Sequence, residues 1–212
     1  MPFCGAFINT LREYSTGLRR MMNAGIFTII YVICAALSLY IRVGFMMRIE
    51  EREIGEGSRL DRFLVVMIVV SMVIPLVYIL IPWFDFANYS LPDVIAWMGV
   101  VLMFLSVFLL WRSHADLGTN FALTPHIEGE QSLIKSGIYR RVRHPMYASL
   151  WLYAFSTPLL IQNLIAGLMF LVVFSAFYMH RVPKEEKMMK EKFGEEYHEY
   201  VLETGRCLPK FR

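Results

Sequence analysis

Two clusters of polar residues mark the two ends of an apolar stretch in the C-terminal half of the chain. Arg143-His144-Pro145-Met146-Tyr147 lies where a basic loop meets this stretch, and Arg181 and Glu185-Glu186 follow where the chain leaves it. Membrane helices rarely carry His, Tyr, Arg and Glu at one end unless those residues hold something polar. The two clusters therefore predict a site for a small polar molecule at one face of a membrane.

The two sides of this predicted site suit opposite charges. Pro145 is favoured in the first turn of a helix, which places His144 close to the cap and Tyr147 one turn inside. Free backbone amides at such a helix start favour a carboxylate or another anion. Glu185 and Glu186 favour a cation or a hydroxyl, so a zwitterionic ligand would satisfy both sides.

Each residue of the two clusters also has a purely structural interpretation. Arg140, Arg141 and Arg143 are typical of positive charges that fix membrane topology, and Tyr147 is typical of an aromatic belt. The two glutamates also suit a helix N-terminus. The joint occurrence of these residues at one depth favours a site, because every structural interpretation would have to hold independently. The five histidines lack the i, i+4 pairing of a zinc helix, and Cys4, Cys34 and Cys207 form no CxxC pair, so no metal site is predicted.

The composition is that of a membrane protein. The 212 residues are 57% hydrophobic and 15% aromatic, against roughly 45–50% apolar residues in soluble domains. The mean hydropathy is +0.48. The net charge of +3 comes from short basic blocks between apolar runs rather than from one basic stripe, so nucleic acid is not a predicted partner.

The fold class predicted is all-α, a polytopic membrane protein with about five transmembrane helices, the last two forming a helical hairpin. A helix needs about 20 mostly apolar residues to cross the hydrocarbon core. The predicted order is an interfacial N-terminal helix over residues 1–23, three spans within 24–111 (Ala24–Met47, Phe63–Pro82 and Val94–Trp111), a long loop over 112–143, a hairpin over 144–182 with its turn at Gln162-Asn163, and a C-terminal tail over 183–212 with an amphipathic helix.

The distribution of Lys and Arg predicts which side of the membrane holds the site. Residues 48–62 contain the four arginines Arg48, Arg52, Arg59 and Arg62, and the loop over 112–143 is basic, whereas residues 83–93 contain neither Lys nor Arg. Because cytoplasmic loops carry the excess of positive charge, the long loop and the tail are expected on the cytoplasmic side.

The order of several C-terminal motifs resembles that of a known family. The motifs are Ser136-Gly137-Ile138-Tyr139, then Arg-His-Pro-x-Tyr, then Arg181 and Glu185-Glu186, then Phe193-Gly194-Glu195-Glu196-Tyr197 and Leu208-Pro209. Over about the last ninety residues they are similar to the isoprenylcysteine carboxyl methyltransferase family of integral-membrane enzymes. The chain departs from that family at Ser149, where members often have glycine, and at Pro183, where they tend to lack proline.

The resemblance implies S-adenosyl-L-methionine as the methyl donor and S-adenosyl-L-homocysteine as the product. It implies that Arg181 orients the substrate, and that the loop and the tail hold the cofactor. The implied cofactor contacts are Gln131, Ser132, Leu133, Ile134, Tyr139, His144, Pro145, Met146, Tyr147 and Glu185.

Three functions remain open at the level of sequence. The first is methylation of the carboxylate of a prenylated cysteine or another lipid-linked acid, which enters from the bilayer and needs little proton transfer because it is already ionised. The second is N-methylation of a phospholipid amine, which needs a base such as Glu185 or Glu186. The third is a non-catalytic membrane protein whose basic loop and tail bind anionic lipid headgroups.

Overall fold

Apolar segments form five long helices in the part of the chain that the structure describes. The structure is a computed structural model, and it describes residues 25–45, 59–81, 84–117 and 133–210. The predicted interfacial helix over residues 1–23 lies outside these ranges. The five helices are α1 (Gly25–Phe45), α2 (Arg59–Leu80), α3 (Asp93–Leu117), α4 (Pro145–Ile161) and α5 (Leu164–Glu203), with short 3-10 helices at Asp85–Ala87 and Gly137–Arg140.

Side-chain contacts fix the directions of the helices. Along α1 and α3, Phe27 packs edge-on against Trp97 and Phe45 lies against His114, so these two helices run parallel. Along α4 and α5, contacts pair early residues of one helix with late residues of the other, so these two run antiparallel. These α4–α5 contacts are Tyr147 with Tyr178, Trp151 with Phe174, and Tyr153 with Phe170.

Four of the helices, α1, α2, α3 and α5, are long and apolar enough to cross a membrane. Their outward faces carry exposed Leu, Ile, Val and Phe side chains, which is the pattern expected of helices surrounded by lipid. The protein is therefore a multi-pass membrane protein. Helix α4 has 17 residues and lies against α3 and α5, and a fifth crossing by this helix stays a prediction.

The connection between α4 and α5 is short and well bonded. Gln162 adopts a left-handed conformation with φ 49° and ends α4. Asn163 begins α5, because its side-chain oxygen accepts hydrogen bonds from the backbone N–H groups of Ile165 and Ala166 at 3.1 and 2.9 Å. The chain thus reverses at the two residues where the sequence predicts a turn.

Two predicted boundaries are wrong. Helix α3 does not end at Trp111 but continues to Leu117, and Arg112 and Asp116 pair at 2.9 Å along this extra turn. At the other boundary, α5 passes through Pro183 and reaches Glu203, so the tail does not begin a separate element at residue 183. The backbone leaves helical geometry only at Gly194, with φ 52°. Glycine adopts this conformation without the steric penalty that other residues incur.

The Ser149 position, where the chain departs from the resembled family, is tightly packed. Ser149 is buried, and its backbone oxygen accepts a hydrogen bond of 2.7 Å from the hydroxyl of Ser106 in α3. Its own hydroxyl donates to the carbonyl oxygen of Met146 at 2.7 Å. The hydroxyl and the backbone oxygen of Ser149 are therefore both hydrogen-bonded within the bundle, and α3 and α4 remain in close contact beside the site.

Candidate functional site

The start of α4 has the geometry that the sequence predicts. Pro145 occupies the first helical turn, and His144 stands at the N-cap position without making a side-chain capping hydrogen bond. The imidazole is therefore not used as a cap. Because the first amides of a helix have no partner within it, this end of α4 presents free N–H groups and the positive end of the helix dipole.

A chain of three side chains joins α4 to α5. The Tyr147 hydroxyl donates a hydrogen bond of 2.8 Å to Oε1 of Glu185, and Nε of Arg181 donates to the same oxygen at 2.7 Å. Arg181 also lies over the ring of Phe177, with its guanidinium carbon 5.4 Å from the ring centre. The unbroken helix at Pro183 makes the Arg181–Glu185 contact possible, since residues four apart then share a helix face.

Glu186 forms the centre of a second charged group. Its carboxylate pairs with the guanidinium of Arg206, whose Nε lies 3.0 Å from Oε1, and it also lies 3.5 Å from a terminal nitrogen of Arg143. Nε2 of His144 is 3.4 Å from the same carboxylate. Hydrogen bonding to Glu186 raises the pKa of Arg206, so this guanidinium stays charged.

The end of the chain folds back onto the segment before α4. Residues Val142 and Gly205 form a parallel bridge, in which the N–H of Arg143 donates to the Gly205 oxygen at 2.9 Å and the N–H of His144 donates to the Arg206 oxygen at 2.8 Å. A terminal nitrogen of Arg143 also donates to the backbone oxygen of Thr204 at 2.5 Å. The tail therefore closes over the start of α4.

Two buried nitrogen atoms in this group lack hydrogen-bond partners among the described residues. They are Nε of Arg143 and Nε2 of His144, which lies 3.4 Å from Glu186 Oε1 but makes no hydrogen bond to it. A buried polar atom without a partner costs about 1–3 kcal/mol. Donors at the start of α4 and acceptors on the two glutamates are together the groups that a bound zwitterion would complete.

The structure describes most of the other residues for which the family resemblance implies contact with the cofactor. Tyr139 is buried, its hydroxyl is 3.4 Å from the Ser113 backbone oxygen, and burial raises its pKa. Leu133 and Ile134 are half-buried and precede Lys135, whose ammonium pairs with Glu196 at 2.8 Å. Thus the described end of the loop reaches the last part of α5. Pro145 is buried and Met146 half-buried, whereas Gln131 and Ser132 lie outside the described residues.

Two arginines were not predicted as site residues. Arg206 reaches Glu186 from the tail, and nothing in its local sequence indicates that contact. Arg42 lies in α1, three residues before Phe45, whose ring packs against His114. Arg42 could have been predicted as a site residue from the sequence, because an ionisable residue inside an apolar span indicates function by default.

The architecture and the charged group define a multi-pass helical membrane protein with a cluster of paired charged side chains where α4 begins. The sequence model of the phospholipid methyltransferase family matches residues 94–196. A probable protein-S-isoprenylcysteine O-methyltransferase of Oryza sativa subsp. indica is 28% identical over 117 residues, 54% of this chain and 61% of that protein. The corresponding enzyme of Saccharomyces cerevisiae is 31% identical over 53% of this chain and 48% of its own length.

A solved structure has a similar fold over almost the whole chain. It is a eukaryotic intramembrane Ras methyltransferase, an isoprenylcysteine carboxyl methyltransferase, with a TM-score of 0.54 and 15% identity, covering 96% of this chain and 86% of that one. The two curated relatives are each matched over less than two thirds of their own length. The resemblance to the isoprenylcysteine carboxyl methyltransferase family that the C-terminal motifs indicate is thereby confirmed.

Proposed function

We propose that this protein transfers a methyl group from S-adenosyl-L-methionine to the carboxylate of a prenylated cysteine or a similar lipid-linked acid within the membrane. The observation that supports this most strongly is the hydrogen bond between Tyr147 and Glu185. It joins the first turn of α4 to the part of α5 that follows its apolar segment. The curated relatives are named for methyl transfer to isoprenylcysteine.

The charged group suits the amino-acid part of the cofactor. Glu185 and Glu186 accept hydrogen bonds from an ammonium group, and the free amides at the start of α4 bind a carboxylate. Nε of Arg143 is a buried donor without a hydrogen bond, and Nε2 of His144 is a second buried polar atom without one. When bound, S-adenosyl-L-methionine supplies a methyl group from a positively charged sulfur, which keeps the electron pair and leaves as a neutral thioether.

The residues of this protein would orient the acceptor carboxylate toward the methyl group and would not need to transfer a proton. A carboxylate acceptor is already ionised at neutral pH. In the proposed arrangement, Arg181 holds it through the terminal nitrogens of its guanidinium while its Nε stays on Glu185. The tail closes over the start of α4, and an enclosed site that excludes water and fixes the acceptor lowers the barrier by orientation.

A second candidate function is N-methylation of a phospholipid amine. The match of residues 94–196 to the phospholipid methyltransferase family favours it. An ammonium acceptor must lose a proton before it can attack a methyl group, and Glu185 and Glu186 are the acids at the site. Both are already paired with guanidinium groups, at Arg181 and Arg206. A carboxylate stabilised in this way is a poor base, so we favour the carboxyl acceptor.

We place the site on the cytoplasmic side, because basic residues cluster at this end of the helices. Arg140 and Arg141 are both exposed there. The apolar tail of the acceptor would lie between the helices and enter sideways from lipid. The partners implied are thus a lipophilic or prenylated acid and the membrane lipids.

Two measurements on purified protein test the proposal. Saturable binding of S-adenosyl-L-homocysteine is expected. Its absence would exclude both methyltransferase functions and favour a non-catalytic, lipid-binding protein. Methyl transfer is then assayed with a farnesylated cysteine analogue and with phosphatidylethanolamine. Transfer to the first is expected, and transfer to the second alone would replace the proposed function by amine methylation.

A further inference from the structure

Arg42 lies at the end of α1 that faces the site. The inward face of this helix is marked by Tyr31, whose hydroxyl is 2.7 Å from that of Tyr153 in α4, and by Phe45, whose ring centre is 5.2 Å from that of His114 in α3. Arg42 precedes Phe45 by three residues and is half-buried. Because residues eleven apart are about three helical turns apart, Arg42 lies on the same face of α1 as Tyr31, the face that packs against α3 and α4. The influence of its charge on Tyr147 and on His114 agrees with this position.

This guanidinium has no counter-ion in residues 25–45, 59–81, 84–117 and 133–210. Neither a carboxylate within ion-pair distance nor a hydrogen-bond acceptor is found for it in these ranges. The two glutamates of the site are already paired, Glu185 with Arg181 and Glu186 with Arg206. An arginine inside a membrane helix is costly unless it pairs with an anion or reaches water. Within the part of the chain that the structure describes, the positive charge of Arg42 on the inward face of α1 is therefore uncompensated.

We propose that Arg42 binds the carboxylate of the methyl acceptor, together with Arg181, and selects acids over amines. This inference rests on the proposed function. The charge of Arg181 is partly balanced by Glu185, 2.7 Å from its Nε, so Arg181 alone attracts a second anion less strongly than an unpaired guanidinium would. Arg42 supplies the missing charge and a planar pair of donors that matches a carboxylate. Its charge also repels the ammonium group of an amine acceptor.

The test compares Arg42→Gln and Arg42→Lys with the wild type and with Arg62→Gln. Arg62 is exposed on α2, so its variant removes the same charge from the same end of the bundle without touching the site. The measurements are kcat and KM for the farnesylated cysteine analogue, the affinity for S-adenosyl-L-homocysteine, and the inhibition constants of the acid analogue and of its carboxamide.

Arg42→Gln is expected to raise the KM of the acid by about tenfold or more, because it removes charged hydrogen bonds. The preference of the protein for the acid over the carboxamide as an inhibitor should then shrink, while the affinity for S-adenosyl-L-homocysteine changes by less than about twofold, as for a substitution outside the cofactor site. Compared with Arg42→Gln, Arg42→Lys should recover only part of the preference for the acid over the carboxamide, because lysine lacks the paired donors of a guanidinium. Arg62→Gln should behave as the wild type.

Three results would overturn the inference. The first is an unchanged acid KM and an unchanged preference for the acid over the carboxamide in Arg42→Gln. The second is full activity of Arg42→Lys, which identifies Arg42 as a topological anchor. The third is an equal loss of S-adenosyl-L-homocysteine affinity, which places Arg42 with the cofactor. If the wild-type protein itself methylates no acid, the proposed function fails instead, and the two failures are thereby distinguished.

Discussion

The hydroxyl of Tyr147 donates a hydrogen bond of 2.8 Å to the carboxylate of Glu185, which joins the first turn of α4 to α5 beyond its apolar segment. The same carboxylate oxygen accepts from Arg181. One oxygen atom thus ties together the proposed cofactor side and the proposed substrate side of the site. Substitutions at these three positions should have different, separable effects.

Removing only the Tyr147 hydroxyl should weaken the site modestly. In Tyr147→Phe, Glu185 loses one hydrogen bond and keeps Arg181, so the affinity for S-adenosyl-L-homocysteine should fall by about three- to tenfold, the equivalent of about 0.5–1.5 kcal/mol. Isothermal titration on the purified protein measures this. Tyr40→Phe is the control, because Tyr40 is 75% exposed on α1. An unchanged affinity in Tyr147→Phe would place Glu185 outside the cofactor site.

Neutralising Glu185 should have a larger effect on cofactor binding. Glu185→Gln keeps the shape of the side chain but removes the charge that would pair with the cofactor's ammonium group. We expect S-adenosyl-L-homocysteine affinity to fall by at least about tenfold. The matched control is Glu191→Gln, since Glu191 lies on the same helix, is largely exposed and pairs only loosely with Lys187 at 3.8 Å. Equal effects of the two substitutions would contradict the assignment.

Arg181→Ala should separate substrate binding from cofactor binding. We expect methyl transfer to the farnesylated cysteine analogue to be lost while S-adenosyl-L-homocysteine binding is largely kept, because Glu185 retains its bond from Tyr147. Parallel measurements of initial rate and of cofactor-product affinity test this. If affinity for the cofactor product falls together with the rate, Arg181 belongs to the cofactor side.

Packing at Gly205 should control closure of the tail. A Cβ atom at this position would clash with the backbone oxygen of Leu208, which is part of the same turn and has little freedom to move. Gly205→Ala should therefore undock the segment that pairs with Arg143 and His144, at a cost of about 1–3 kcal/mol. Gly44→Ala is the control, because a Cβ there meets no atom within 4 Å.

The readouts for Gly205→Ala are the melting temperature in detergent and the affinity for S-adenosyl-L-homocysteine. We expect both to fall in this variant and neither to fall in Gly44→Ala. A lower melting temperature with unchanged affinity would mean that the tail stabilises the bundle without closing the site.

Much of this arrangement could be predicted from the sequence because the signals are local. Long apolar runs indicate helices, Gln162-Asn163 indicates a turn, and Pro145 indicates the first turn of α4. The approach of Glu185 to Tyr147 was also predictable in outline, because both residues lie at the same end of neighbouring apolar segments.

The errors arose where tertiary contacts outweigh local preference. Proline usually ends a helix, yet α5 continues through Pro183 and breaks at Gly194. Helix α3 runs past Trp111 because Asp116 pairs with Arg112 and accepts the N–H of Ile138 at 2.8 Å, a contact with a distant segment. The pairing of Arg206 with Glu186 likewise depends on the backbone bridge between Gly205 and Val142, which has no local sequence signal.

The chemical form of the transferred methyl group shows whether this protein methylates a carboxyl group. Purified protein is incubated with methyl-labelled S-adenosyl-L-methionine and the farnesylated cysteine analogue, and the lipid-soluble product is treated with mild base. We expect a methyl ester, so base should release the label as volatile methanol. Label that remains bound after base, as on a methylated nitrogen, or no transfer to the acid at all, would contradict this expectation.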